Sequence, residues 1–275
     1  MQDILKVEKN TDSIVRLILN DEKSGNSLSD EMISLMSSRL EEISNNEDIK
    51  VVVIASTGKI FCAGHNLKEM TEARNNNDEG KSYFANLFQS CSDMMQSIVN
   101  CPKPVIAEID GIATAAGCQL VASCDLAIAS DTSSFATPGV NLGLFCSTPM
   151  VALSRNVKKK DAMKMLLTGE MIDAEEAKRI SLINDYVESE NLSVEVMNLA
   201  KKIASKSMKT VNIGKSAFYK QAELSLSDAY RYTSEVMAKN IMNDDAKEGI
   251  ASFIEKRDPN SVSYTHLTLP TSTHG

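Results

Sequence analysis

Short apolar runs separated by amphipathic stretches organise the first half of the chain. Four runs predict buried strands at about residues 13–19, 50–55, 104–108 and 124–129, because they are short and rich in aliphatic side chains. Apolar residues at helical spacing predict helices between them, at about 29–44, 80–99 and 116–123. Strands and helices that alternate in this order are typical of right-handed β-α-β units. The pattern therefore predicts an α/β fold.

From Pro149 onward the apolar spacing is helical throughout. The predicted helices are Asp161–Leu167, Asp173–Ile180, Asn191–Ser205, Val211–Ala222, Ser227–Asn243 and Ala246–Lys256. We accordingly divide the chain into an α/β core over residues 4–200, a C-terminal helical region over 201–258 and a tail over 259–275. The tail carries no Lys, Arg, Asp or Glu after Pro259, which indicates a disordered or non-native segment.

Composition narrows the class of protein. The chain has 275 residues, of which 43% are hydrophobic, and this is enough for a large core. Its net charge of −8 argues against a nucleic-acid partner. No apolar run reaches the roughly 18 residues of a membrane span, so none is predicted. The first predicted strand begins at Ser13, so we expect no targeting presequence within this sequence, which for a mitochondrial protein would make it a processed or truncated form.

The cysteines and histidines do not predict a metal site. The six cysteines show no C-x-x-C spacing and lie among apolar or small residues, so we expect reduced, buried thiols. Two of the three histidines, His266 and His274, lie in the tail, where a metal site is not expected.

Small residues crowd two turns that follow predicted strands. The first is Phe61-Cys-Ala-Gly-His65, after the strand at 50–55, and the second is Gly111–Cys118, after the strand at 104–108. The second turn leads into the helix at 116–123, whose first N–H groups have no partner within the helix. Such donors stabilise a developing oxyanion. No carboxylate that could move protons accompanies these turns.

Several dispersed motifs resemble one family in order and content. They are "FCAGHNLKEM" at 61–70, "DGIATAAGCQLVASCDLAIAS" at 110–130, "FATPGVNLGL" at 135–144, "LLTGEMIDAEEAKRISLIN" at 166–184 and "EGIASFIEKR" at 248–257. Together they resemble the crotonase (enoyl-CoA hydratase/isomerase) superfamily over roughly residues 4 to 258.

The resemblance implies the crotonase (ClpP-like) fold of repeated β-β-α units, with a C-terminal helical trimerisation region and assembly as a homotrimer or hexamer. It implies an acyl-CoA thioester as ligand, with coenzyme A as part of that thioester and no permanently bound cofactor. The branch that the motifs resemble is mitochondrial, so a mitochondrial location is expected.

The resemblance also implies a set of site residues. The backbone N–H groups of His65 and Ala116 would hold the thioester carbonyl, while the His65 side chain is expected to face solvent or the CoA entrance. Gln119 and Gly139 stand where hydratases of the family carry two glutamates. Neither residue can give or take a proton at neutral pH, so weak or absent hydratase activity is expected. Cys146 stands where some decarboxylases of the family carry a polar side chain.

Coenzyme A would be held by positive charges and by the first turn. By resemblance the phosphates are expected to meet Lys23, Lys68 and Lys256, the last near Phe253, and the pantetheine arm is expected to pass Ala63.

Three functions stay open at this point. The chain could bind acyl-CoA thioesters with little or no hydration, as a regulator or carrier. It could be an enzyme of another crotonase chemistry that needs mainly an oxyanion hole, such as decarboxylation or thioester hydrolysis. It could also be a structural protein that no longer binds coenzyme A.

Overall fold

The computed structural model describes residues 3–10 and 12–259. The chain separates into two compact units, with the boundary between Ala204 and Ser205. The first unit is α/β and the second is helical. Residues 260–275, including His266 and His274, lie outside the described residues, as does nearly all of the predicted tail.

Two sheets of the first unit hold the strands of the described residues. The larger sheet has the order β1-β2-β3-β5-β7-β10 and the smaller has the order β4-β6-β8-β9. Within each sheet only the outer strands β1 and β9 run antiparallel to their neighbours. The strands are β1 Leu5–Lys9, β2 Ile14–Leu19, β3 Val51–Ser56, β4 Ile60–Cys62, β5 Val105–Ile109, β6 Ile112–Thr114, β7 Leu126–Ser130, β8 Ser134–Ala136, β9 Ile172–Asp173 and β10 Asp185–Val187.

The helices of the first unit connect these strands and cover the sheets. They are α1 Asp30–Asn45, α2 Leu67–Ala73, α3 Lys81–Asn100, α4 Ala116–Ser123, α5 Pro149–Asn156, α6 Lys159–Thr168, α7 Ala174–Arg179 and α8 Ser189–Ala204. Short 3₁₀ turns occupy Glu22–Ser24 and Pro138–Leu142.

A β-β-α unit repeats along the chain. In each repeat a strand of the larger sheet is followed by a short strand of the smaller sheet and then by a helix, as in β3-β4-α2, β5-β6-α4 and β7-β8-α5. Because β4, β6 and β8 are parallel neighbours, the turns that leave them emerge at the same edge of the smaller sheet. This arrangement confirms the predicted fold.

Both faces of the larger sheet are covered, which explains the continuous apolar run of β3. Val52 and Ile54 belong to the core shared with α1, α3 and α4, whereas Val51 and Val53 pack with α8 on the opposite face. All four side chains are fully buried. Parallel strands covered on both sides read as unbroken hydrophobic segments rather than as an alternation.

The described part of the second unit, up to residue 259, contains three helices, α9 Met208–Ala222, α10 Leu226–Asn240 and α11 Asp244–Glu255. The Ser207 hydroxyl accepts a hydrogen bond from the Thr210 N–H at the start of α9 and donates one to the Asp245 carboxylate of α11. Large apolar side chains are exposed along these helices, namely Phe218, Leu226, Tyr230, Met237, Phe253 and Ile254. Among residues 3–10 and 12–259, no helix is both long enough and apolar enough to cross a bilayer.

Candidate active site

The turns after β4 and β6 meet at the edge of the smaller sheet. The Thr114 hydroxyl donates to the Ala63 carbonyl at 3.1 Å, which links the two turns. Gly64 has a φ of +93°, and a Cβ built on it would lie 3.0 Å from Ala115 Cβ and 3.2 Å from Ala116 N. The backbone before His65 is therefore packed against the first residue of α4.

The start of α4 lies directly on β4. A Cβ built on Gly117 would lie 2.1 Å from the carbonyl oxygen of Cys62, well inside contact distance. Only glycine permits this approach of helix and strand, and the approach brings the first turn of α4 to the loop that contains His65.

Ala115 carries strain immediately before α4. Its φ of 51° and ψ of −117° lie in a region that residues with a side chain rarely adopt. Its own backbone groups are paired, since its N–H donates to the Ala136 carbonyl at 3.0 Å and its carbonyl accepts from the Gln119 N–H at 3.1 Å. This geometry fixes the direction of the next peptide, whose N–H belongs to Ala116.

Two backbone donors are left unpaired where the turns meet. The bridge between the first turn and Leu28 uses the Gly64 carbonyl, which accepts from the Leu28 N–H at 2.7 Å. Within the described residues, the N–H groups of His65 and Ala116 have no hydrogen-bond partner. The Ala116 donor also lies at the positive end of the α4 dipole. Neighbouring unpaired donors of this kind suit a carbonyl oxygen that gains negative charge.

Some of the buried polar side chains without partners belong to these turns or to their neighbours in the chain. Oε1 of Gln119 and Oγ1 of Thr137 are buried and have no hydrogen-bond partner among the described residues, and both ring nitrogens of His65 are shielded from solvent. Thr137 follows Ala136, the residue that pairs with Ala115. Buried polar atoms are normally satisfied in folded proteins, so a cluster of unsatisfied ones indicates a site that holds a polar ligand or water.

The His65 side chain is half-buried, and both of its ring nitrogens are shielded from solvent. Its centroid lies 5.5 Å from that of Phe88, in an edge-to-face arrangement. Burial lowers the pKa of His65, while the Leu28 carbonyl and the Asp30 carboxylate oppose part of this shift. The imidazole is therefore neutral at pH 7.

Gln119 lies one turn into α4, on the same face as Ala116 because the two residues are three positions apart. Its side chain is 5% exposed. An amide at this position offers both a donor and an acceptor but has no proton to transfer at neutral pH.

Gly139 and Cys146 are interlocked. A Cβ built on Gly139 would lie 2.8 Å from the Cys146 sulfur and 2.6 Å from the Leu144 carbonyl oxygen. Burial raises the pKa of the Cys146 thiol, and a hydrogen bond from the Gly139 backbone opposes this shift. The thiol is consequently neutral and fills the space in which a side chain at position 139 would begin.

The remaining cysteines are structural. All six cysteines are free and buried, which confirms the prediction from their sequence contexts. Burial raises the pKa of Cys62, Cys91 and Cys118 to about 12, so none of these three is a thiolate at neutral pH.

Glu108 and Asp110, at the end of β5, pair with side chains outside the two site turns. Glu108 accepts a hydrogen bond from the Arg16 guanidinium at 2.6 Å, across the intervening strand β3. Burial raises the pKa of Glu108, and the charge of Arg16 opposes the rise. Asp110 accepts from the Ser189 hydroxyl at 3.0 Å. Both carboxylates therefore have structural partners.

The residues expected to hold coenzyme A fall in both units. Lys23 is exposed on a turn whose next residues are tied to the first loop, since the Ala63 N–H donates to the Gly25 carbonyl at 3.0 Å. Lys68 is exposed in the first turn of α2. In the second unit, Phe253 is 85% exposed on α11 and Lys256 follows as its C-cap residue. Lys23 and Ala63 therefore belong to neighbouring parts of the first unit, whereas Phe253 and Lys256 belong to the second unit.

A groove of about 550 Å³ runs between α1 and α3. Its lining includes the carboxylates of Asp30 and Asp93 and the phenol of Tyr83. This chemistry does not suit phosphate groups, which require positive charges or backbone donors.

Comparison with known proteins identifies the family. The family model described as enoyl-CoA hydratase/isomerase matches residues 9–263. The chain belongs to the enoyl-CoA hydratase/isomerase family. Among curated relatives, it is 49% identical over 248 residues to the mouse protein named enoyl-CoA hydratase domain-containing protein 3, mitochondrial, which covers 90% of this chain and 81% of the mouse protein. The human protein of the same name is 48% identical over 248 residues, covering 90% of this chain and 80% of its own.

Solved structures of the family share the fold. The crystal structure of enoyl-CoA hydratase from Mycobacterium smegmatis superposes with a TM-score of 0.90 at 43% identity, over 94% of this chain and 99% of that one. Human enoyl-CoA hydratase domain-containing protein 3 superposes with a TM-score of 0.88 at 46% identity, over 94% of this chain and all of that one. These neighbours confirm the crotonase fold of this member of the family.

The sequence predicted the two turns but not the local geometry around them. The strain at Ala115, the close approach at Gly117 and the unpaired hydroxyl of Thr137 emerge only from the folded chain. The run of small residues at 111–118 indicates close packing, but it does not show which atoms are in contact.

Proposed function

We propose that this chain binds an acyl-CoA thioester and hydrates enoyl-CoA weakly or not at all. The observation that carries the proposal is the pair of unpaired backbone N–H groups on His65 and Ala116, adjacent to each other at the edge of the smaller sheet. The thioester carbonyl would accept from both donors, in the way that an oxyanion hole holds a carbonyl.

The expectation of weak hydration follows from the groups beside these donors. Adding water to a double bond needs one group to take a proton from the water and another to supply one. Gln119 is an amide, position 139 has no side chain, burial keeps the Cys146 thiol protonated, and the lowered pKa of His65 makes its imidazole a weaker base. Losing general acid–base help at each of two positions lowers a rate by a factor of about 10² to 10⁴ per group.

Mass spectrometry of a thioester panel tests the proposal. The full chain would be incubated with enoyl-, acyl- and malonyl-type CoA thioesters, and binding would be measured in parallel by calorimetry. We expect binding of the thioesters with no mass gain on the enoyl-CoA beyond a slow background. Rapid gain of one water would contradict weak hydration, and failure to bind any thioester would favour a purely structural role.

A proline at position 116 tests the assigned donor. Ala116 is the first residue of α4, and proline there brings no N–H and also restricts the strained Ala115 that precedes it. We expect Ala116→Pro to weaken thioester binding by about tenfold or more, because one charge-facing donor is lost. Leu226→Pro is the matched control, since Leu226 is the first residue of α10 and is 77% exposed. Equal effects of the two substitutions would contradict the assignment.

A second candidate function is a lyase or hydrolase that needs mainly the two backbone donors, acting by decarboxylation or thioester hydrolysis. The same unpaired N–H groups favour it, because both reactions place negative charge on the thioester oxygen. In the panel above, loss of carbon dioxide or release of free coenzyme A would identify it. Ala116→Pro would then abolish turnover, and unchanged turnover would contradict it.

The proposal also covers the cellular location, the contacts to coenzyme A and the assembly of the protein. The names of the mouse and human relatives support a mitochondrial location. A place in fatty-acid metabolism is part of the proposal and rests on the proposed acyl-CoA ligand. In the first unit, the exposed lysines at positions 23 and 68 would bind the phosphates of coenzyme A, with Ala63 beside the pantetheine arm. For the second unit, taken by itself, the exposed Phe253 and Lys256 are proposed as further contacts to coenzyme A. Exposed apolar side chains on α10 and α11 support a homotrimer or hexamer. No permanently bound cofactor or metal is proposed.

A further inference from the structure

Asn26 is a fully buried residue that joins two separate segments of the first unit. Its side-chain NH₂ donates to the carbonyls of Thr57 and Ile60 at 2.8 and 2.7 Å, at the two ends of the connection between β3 and β4. Its Oδ1 accepts from the Asp21 N–H at 2.7 Å, and its own backbone N–H donates to the Asp21 carbonyl at 2.8 Å. The loop before α1 is therefore tied to the β3–β4 connection by one amide.

The backbone at this position explains why the residue is an asparagine. Its φ of 52° lies in the left-handed region, as does the φ of 71° at the preceding Gly25. Asparagine adopts this conformation more readily than most residues, and its side chain offers two donors and an acceptor. A serine hydroxyl has one donor, and an ionised aspartate has none. Position 26 thus uses both properties of asparagine.

The segment around this asparagine also holds the turn after β4. On one side, the Gly25 carbonyl accepts from the Ala63 N–H at 3.0 Å. On the other, the Leu28 N–H donates to the Gly64 carbonyl at 2.7 Å. The Gly64 carbonyl and the His65 N–H belong to one planar trans peptide unit, in which the two bonds point in opposite directions. The bond from Leu28 therefore also fixes the direction of the His65 N–H.

We propose that Asn26 is a positioning residue, which sets the direction of the His65 N–H through the hydrogen bond between Leu28 and Gly64. The inference rests on the proposed function, since the direction of that donor matters only if it binds a thioester carbonyl. Asn26 itself touches no ligand in this scheme. Without its amide, the loop is no longer tied to the β3–β4 connection, so the donor loses its alignment and polarises the carbonyl less.

Infrared spectroscopy of a bound thioester tests the inference. The full chain is saturated with butyryl-CoA that carries ¹³C at the thioester carbonyl, whose stretching frequency falls when hydrogen bonds polarise the C=O bond. Asn26→Gly removes the amide and keeps the left-handed backbone without strain. We expect this variant to bind butyryl-CoA about tenfold more weakly and to give a carbonyl band at higher frequency than the original chain, because one donor is misaligned.

Asn20→Gly is the matched control. Asn20 is 3% exposed and is hydrogen-bonded to Asp3 and Thr57, so its loss also removes a buried amide from the first unit. We expect this substitution to lower the free energy of unfolding in urea but to leave the carbonyl band at the frequency of the original chain.

Asn26→Ser carries the test if Asn26→Gly does not fold. Serine already adopts a positive φ at Ser13 and Ser181 of this chain, and its hydroxyl can replace one of the two donors, so an intermediate carbonyl frequency is expected. A folded Asn26 variant with the carbonyl band of the original chain would overturn the inference, as would an equal shift in Asn20→Gly. If the original chain does not bind butyryl-CoA, or binds it without lowering the carbonyl frequency, the proposed function falls and the inference falls with it.

Discussion

At the scale of single residues, Gly117 determines how closely α4 can approach β4. The position for a Cβ lies 2.1 Å from a backbone oxygen of Cys62, and backbone moves less easily than a flexible side chain. We therefore expect Gly117→Ala to displace the start of α4, lowering the free energy of unfolding by about 2 kcal/mol or more and weakening thioester binding at least tenfold. Urea unfolding and calorimetric titration measure the two effects.

Gly249→Ala is the control for that substitution. Gly249 lies within α11 and has no atom within 4 Å of its Cβ position. Alanine in an open helical position raises stability by roughly 0.5–1 kcal/mol. If Gly117→Ala were equally benign, the close approach of helix and strand would not be what holds the Ala116 donor in place.

The buried imidazole of His65 makes stability depend on pH. Its pKa is lowered in the folded protein, so the unfolded chain takes up a proton first as the pH falls. The stability that neutral His65 contributes is present above about pH 6.5 and is lost as the pH falls towards the folded pKa, by at most about 1.4 kcal/mol per pH unit. Unfolding in urea at pH 7.5 and 5.5 should show a smaller drop for His65→Gln than for the original chain. An identical drop would mean that His65 titrates as it does in the unfolded chain.

At the scale of elements, one ion pair spans three strands of the larger sheet. Arg16 on β2 reaches over β3 to Glu108 on β5, whose side chain is only 9% exposed. Arg16→Met leaves that carboxyl buried without its partner, and we expect a loss of about 2–3 kcal/mol at pH 7.5.

The pH dependence of that loss has a definite sign. Burial already raises the pKa of Glu108, and removing Arg16 raises it further. Stability from a raised carboxyl pKa is present below the unfolded value and is lost as the pH rises through the folded value. Arg16→Met should therefore be less harmful at pH 5 than at pH 7.5 in urea unfolding. Adding Glu108→Gln should recover much of the loss, and a failure to recover would place the effect of Arg16 elsewhere.

The elements also show what can be read from sequence. The helix predicted at 116–123 is Ala116–Ser123 in the structure, and the strand predicted at 50–55 is Val51–Ser56, because long apolar or periodic segments carry a clear signal. The strands β4, β6 and β8 have three residues each and were not predicted individually. Segments this short cannot display a period, and their pairing depends on partners distant in the chain. The two site turns were predictable because small residues mark them, whereas the contact between the His65 and Phe88 rings was not.

At the scale of the whole molecule, the second unit exposes more apolar surface than a solitary helical unit needs. Phe253 and Ile254 of α11 are 85% and 72% exposed. Exposed apolar patches of this kind indicate a contact with another protein surface. We expect sedimentation equilibrium to give a mass of three or six times the chain mass of 30.0 kDa.

A charge on α11 tests whether this surface makes the contact. Ile254→Asp should shift the mass towards that of the monomer, since an unpaired carboxylate is costly to bury, whereas Ile254→Leu should leave the mass unchanged. A monomer in the original chain would contradict the expectation, and an assembly unaffected by Ile254→Asp would place the contact on another surface.

The interlock of Gly139 and Cys146 also constrains how this sequence can evolve. A side chain gained at position 139 would collide at once with the Cys146 sulfur and the Leu144 carbonyl. Shortening residue 146 removes one obstacle but leaves the backbone one, so a carboxylate can enter only together with a rebuilt loop. The intermediate sequences on that route are destabilised before any new chemistry is available. We therefore expect a carboxylate at residue 139 to be accommodated only together with changes in residues 144–146.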